Sequence, residues 1–151
     1  SRLPPKPDSI FPQAGVSLSL ELLEAARTLF GDTAPERLLL QYFGQRREQW
    51  RPKLSKAKSL VERAALLSRL REKDGCFGRC RYDPAKGFRI EEYHHPLHAV
   101  FVAYPGAITL ELRMMEELLG TKITRREIPG GRGGPARIDY EVATLGIREA
   151  T

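Results

Sequence analysis

The sequence predicts an α+β protein, with a helical N-terminal half followed by a small sheet half in the order β-β-β-α-β-β. Three observations predict it. Apolar residues recur at helical spacing up to residue 74, the period changes from 3.6 to 2 after Gly75, and one amphipathic stretch at 108–119 interrupts the strand-like segments.

Residues 1–15 carry Pro4, Pro5, Pro7 and Pro12 and read as an extended lead, because proline biases its predecessor away from the helical region. Residues 16–30 place Leu18, Leu22, Ala25 and Leu29 on one helical face, with Gly31 as the stop. Thr33, Pro35 and Glu36 form a capping box for a second helix, ended by Pro52, whose apolar positions are Leu39, Tyr42, Phe43 and Trp50. A third helix over 54–74 shows Leu60, Ala64 and Leu67 in phase, with Lys56 and Lys58 weakening its first turn.

Segments 76–82 and 88–93 flank the turn Asp83-Pro84-Ala85-Lys86-Gly87 and read as a hairpin. The apolar run 98–104 reads as a third, central strand. A helix over 108–119 presents Ile108, Leu112, Met115 and Leu119 and stops at Gly120. Strands at 122–128 and 136–142 follow, separated by the glycine-rich loop 129–135. The chain thus divides into a lead (1–15), a helical region (16–75) and an α+β region (76–151).

The 151 residues, 41% apolar and 29% charged, suffice for one sizeable core. No run is long enough to span a membrane and the start lacks a signal-peptide apolar core, so a cytoplasmic location with no membrane partner is expected. Lys and Arg number 25 against 19 Asp and Glu, a net charge of +6 that suits a nucleic-acid partner. The basic residues are nevertheless spread and alternate with Glu, and no basic stripe interleaved with aromatics is visible.

Three histidines, His94, His95 and His98, open the stretch "EEYHHPLHAVFVAYPG". With Cys76 and Cys80 they make a candidate metal set, because two thiolates and two imidazoles can hold a tetrahedral zinc ion. The C-x3-C spacing matches no standard zinc module, and three half-exposed histidines at a strand end is the plainer reading. The loop 129–135 reads as a flexible hairpin connection rather than a phosphate cradle, since no helix follows it. Met114 and Met115 read as core and flank of their helix. No nucleophile elbow, zinc-protease helix or phosphate loop is present, so the chain reads as a non-enzyme.

The order of landmarks resembles the effector-sensing region of the SufR-like winged-helix regulators that repress iron–sulfur assembly operons. The likeness runs through Leu3, Phe11-Pro12, Gly75, "RIEEYHHPLHAVFVAYPGAITLELRMMEELLGTKITRRE" and "GGRGGPARIDYEV", and is strongest from Glu91 to Val142. It rests on His95-Pro96, Ala103-Tyr104-Pro105, Leu119-Gly120, Arg126 and Tyr140 in sequence.

The resemblance implies a sensor and dimerisation region of a bacterial transcriptional regulator. The helical stretch would form a homodimer, and DNA would be read by a winged-helix domain ahead of the proline-rich lead, outside this sequence. Cluster-bearing members carry cysteines where this chain has His95, Ile108 and Ala136. Isoleucine and alanine cannot ligate iron, so no Fe–S cluster is expected. His94, His95, His98, Tyr104, Ile108 and Ala136 would line the altered pocket, with Cys76 and Cys80 as outside candidates. The alternatives are a zinc-binding module using the Cys/His set, or an α+β domain that binds or transforms a small molecule.

Overall fold

The computed structural model describes residues 7–85, 87–132 and 135–144, with side chains from Leu18 onward. Three long helices come first: α1 (Pro7–Phe30), α2 (Ala34–Leu54) and α3 (Leu60–Lys73). The hairpin β1 (Phe77–Asp83) and β2 (Gly87–His94) follows, then α4 (His98–Ala103), α5 (Gly106–Leu119), β3 (Ile123–Ile128) and β4 (Arg137–Val142). The fold is α+β, as the sequence predicts.

The four strands form one antiparallel sheet in the order β1-β2-β4-β3. Ile90 pairs with both Cys80 and Tyr140, and Tyr140 with Arg125, so this row faces the helices. The core joins Leu39, Phe43, Trp50 and Leu54 of α2, Leu60, Ala64 and Leu67 of α3, Met115 and Leu119 of α5, and Phe88, Ile90 and Tyr140 of the sheet.

Several expectations are corrected. The run 98–104 is helix, not strand, so the sheet half is β-β-α-α-β-β. Pro96 and Pro105 bracket the segment, and its buried residues, Val100 and Phe101, are adjacent rather than alternating. The lead is helical from Pro7, and residues 1–6 lie outside the described residues.

Pro52 does not end α2. It sits in the last turn, where it removes one helical bond, and the helix continues to Leu54. Thr33 makes no side-chain cap, whereas Ser59 accepts a hydrogen bond from the Glu62 amide (3.1 Å) and starts α3 at Leu60, six residues later than predicted. Lys56 and Lys58 therefore lie in a connection. Two glycines of the loop 129–135, at 133 and 134, fall outside the described residues.

The apolar stripe of α1 is helical as predicted, but it does not face the core. Leu18, Leu22 and Leu29 are 56%, 61% and 72% exposed, while Leu23 and Ala26 are the buried residues of this helix. At 100° per residue the exposed stripe lies roughly 120° around the helix from Leu23.

Candidate functional site

A set of polar side chains meets inside the molecule where α3, β2, α5 and β4 converge. Each holds a place that its element's period assigns to the core. Arg71 follows Ala64 and Leu67 on α3, Glu111 lies on α5 among Ala107, Met114, Met115 and Leu118, and Glu92 follows Phe88 and Ile90 on β2.

Arg71 donates to both oxygens of Glu92, at 2.6 Å and 2.8 Å, and lies 3.3 Å from Oε2 of Glu111. The guanidinium also sits over the Tyr140 ring, 5.3 Å from its centroid. The Tyr140 hydroxyl donates to Oε1 of Glu111 (2.9 Å), and His95 Nε2 lies 2.6 Å from Oε2. The Leu97 amide donates to His95 Nδ1 at 3.0 Å. That bond requires a lone pair on Nδ1, so Nε2 carries the proton and donates to Glu111. Phe101 closes over the imidazole edge-on at 4.6 Å.

The electrostatics follow from the packing. Burial alone would raise the Glu111 carboxyl, but Arg71 and the hydrogen bonds from His95 and Tyr140 outweigh it and hold this group at about 2. Burial opposes the charge on Arg71 as well, and Glu111 and Glu92 keep it fully cationic. Burial pushes the Cys76 thiol up to about 12 and the Tyr140 phenol well above its usual value.

Beside this network a groove of about 900 Å³ opens at one end of the sheet. His94, His95 and His98 line it together with Ile128, Pro129, Ala136 and Ile138. Leu20 of α1 forms part of the wall. Helix α1 thus touches the groove on one face and presents its exposed leucine stripe on another. It is further tied to the α+β half by Tyr104, whose hydroxyl donates to Glu24.

The structure brings together some of the sequence-predicted residues and separates others. His94, His95, His98 and Ala136 share the groove, whereas Ile108 is half-buried against the core and Tyr104 is committed to Glu24. Cys76 approaches His95 and Glu92, with one potential ligand atom of each within 4.8 Å of the others. Cys80 packs against the core opposite Ile90, and the exposed His94 and His98 are not part of that group. Cys80 is four residues further along the chain, about 13 Å in extended backbone.

The donor set fits neither metal group well. An Fe–S cluster needs several thiolates, and His95, Ile108 and Ala136 offer one imidazole and two alkyl side chains. A zinc ion at Cys76, Glu92 and His95 would have to take Glu92 from Arg71, free a ring nitrogen of His95 and deprotonate a thiol that titrates at about 12. The guanidinium of Arg71 already stands where a bound cation would balance Glu92 and Glu111.

Arg71, Glu92, Glu111 and Tyr140 are absent from the sequence-predicted pocket. Their signal was present as charge in phase with an apolar period on three separate elements, one cation and two carboxylates. Comparison of the chain with protein-family models, with characterised proteins and with solved structures finds no match.

Proposed function

We propose that the chain is the sensor and dimerisation part of a bacterial transcriptional regulator of the SufR-like kind, working without an Fe–S cluster and without enzymatic chemistry. One observation carries the reading: the apolar stripe of α1, Leu18, Leu22 and Leu29, lies open to solvent with Ala25. Apolar residues held in a row on a helix face without cover belong to an interface. A two-fold dimer through this helix matches the symmetry of an operator.

The groove beside His95 supplies the sensing element. Its occupant presses on Leu20, and the same helix carries the dimer stripe, so ligand binding biases the arrangement of the two subunits. DNA reading belongs, on this reading, to a winged-helix domain ahead of the sequence, and the protein works in the cytoplasm. Among the described residues no helix is long and apolar enough to cross a membrane.

The test is DNA binding by the protein extended through the residues encoded ahead of Ser1. It is expected to protect one two-fold-symmetric site in a promoter. No protection under any redox or metal condition would end the reading.

The proximity of Cys76, Glu92 and His95 favours a second reading, a zinc site. Zinc at one per chain that disappears on Cys76→Ala would establish it, and metal-free protein of unchanged stability would dismiss it.

A further inference from the structure

We propose that the open face of the sheet is a docking surface for the phosphate backbone of duplex DNA, formed by Arg79, Arg81, Arg89, Arg126 and Arg137. These arginines are scattered in sequence, and strand alternation collects them on the face opposite Ile90 and Tyr140. One row runs Arg79, Glu91, Asp139, Arg126 across all four strands, and the next runs Arg81, Arg89, Glu141.

Two of the three acids of this face, Glu91 and Asp139, lie beneath the bases, while Glu141, 40% exposed, pairs with Arg126 at 2.9 Å. Glu91 and Asp139 are 3% and 6% exposed, whereas Arg79, Arg81 and Arg126 are 55%, 47% and 60% exposed. Glu91 holds Arg79, Arg81 and Arg89 at 3.3, 3.2 and 2.8 Å, with Arg137 at 3.8 Å, and Asp139 takes Arg137 at 2.8 Å. The buried carboxylates therefore act as clamps that fix the guanidiniums against the sheet. Burial would raise the Glu91 carboxyl, but hydrogen bonds from Arg89, Tyr93 and Arg79 hold it below its usual range, so the clamp stays charged.

Five arginines against the carboxylates of Glu91, Asp139 and Glu141 leave this face a net charge of +2, which favours a polyanion. The four strands contain no lysine, and the planar fork of arginine suits phosphate oxygens in pairs.

The same face argues for a duplex rather than unpaired bases. Single-strand binding relies on aromatic stacking platforms. Tyr93 lies among these arginines, and its hydroxyl donates to Glu91 (3.1 Å) while the Arg79 guanidinium covers its ring at 5.8 Å; the exposed Phe77, at the irregular start of β1, sets its ring against His94 at 6.1 Å. A duplex presents phosphates and needs no stacking. Only Arg137 borders the groove, and the surface needs no attached DNA-reading domain, so this inference stands or falls apart from the regulator reading.

The experiment is fluorescence anisotropy of a fluorescein-labelled 20-base-pair duplex of arbitrary sequence, titrated with the 151-residue chain at several salt concentrations. Micromolar binding at low salt is expected, with a slope of log affinity on log salt of about −2 to −4, the signature of a few displaced counterions. Arg79→Glu with Arg81→Glu should weaken binding at least tenfold. Lys53→Glu with Lys56→Glu, the same charge change away from the sheet, should leave it within about twofold. Should the glutamate pair unfold the chain, Arg79→Gln with Arg81→Gln replaces it, with a loss of at least threefold expected. No anisotropy change at 100 µM protein, equal loss in the lysine control, or tighter binding to polyglutamate or anionic vesicles would overturn the proposal.

Discussion

Replacing Arg71 by methionine removes the one cation that balances two buried carboxylates. Arg71 is 2% exposed, and the Glu92 and Glu111 side chains are 1% and 3% exposed. Methionine keeps most of the volume, so the loss is electrostatic rather than a cavity. Both carboxylates would then lie buried without a guanidinium, and breaking a buried pair from one side costs about 3–5 kcal/mol.

The depressed carboxyl gives an independent measure of scale. Glu111 sits at about 2 against an ordinary 4.5. That difference corresponds to about 3 kcal/mol, shared among Arg71, His95 and Tyr140. Urea unfolding at pH 7, followed by circular dichroism, should show Arg71→Met losing about 3–5 kcal/mol, and melting should fall by about 6–20 °C. The double variant Arg71→Met with Glu92→Met should recover more than about 1 kcal/mol of the single loss, because one of the two stranded carboxylates is gone. A loss under about 1 kcal/mol for the single variant, or strict additivity in the cycle, would refute the idea that this network acts as one unit.

Glu111 also sets a pH dependence. Its folded-state value is depressed, so its contribution is present above pH 4.5 and is lost as the pH falls toward about 2. Wild-type stability should drop by about 3 kcal/mol more than that of Glu111→Gln between pH 6 and 2, measured by urea unfolding. The Cys76 thiol, pushed to about 12 by burial, should react with a disulfide reagent at pH 8 about a thousandfold more slowly than an ordinary thiol, until the chain is unfolded. Peptide mapping after labelling checks this. Gly78→Ala would place a Cβ 2.4 Å from the Glu91 carbonyl oxygen and 2.8 Å from Cγ of Glu92, forcing β1 and β2 apart. It should cost about 2 kcal/mol or more, whereas Gly131→Ala, which meets nothing within 4 Å, should stay within about 0.5 kcal/mol.

Much of the architecture was legible because period and punctuation agreed. Gly75 marks the change from helices to strands, and Gly120, with φ of 76°, caps α5 where the sequence placed its stop. The run 98–104 was not legible, since a short apolar stretch between prolines fits a strand or a helix turn equally well. The α1 stripe was correctly read as one face of a helix, yet periodicity says only that the face is apolar, not whether its cover is the same chain or another.

The site divides in the same way. His95 was visible as an unusual residue before a proline, but its partners Arg71, Glu92, Glu111 and Tyr140 come from four elements and meet only in three dimensions. A search for adjacent ligands favoured His94, His98 and Cys80, which lie outside the close group of Cys76, Glu92 and His95. The arginines of the sheet face were hidden for a related reason. Alternation places each between residues of the opposite face, and only strand pairing gathers them.

Sedimentation velocity on the 151-residue chain at tens of micromolar tests the central claim most directly. The account predicts a dimer of 17.1 kDa chains that Leu22→Glu with Leu29→Glu converts to a monomer of unchanged helix content, since both side chains face solvent within one chain. A wild-type monomer at that concentration, or a dimer indifferent to both substitutions, would contradict it.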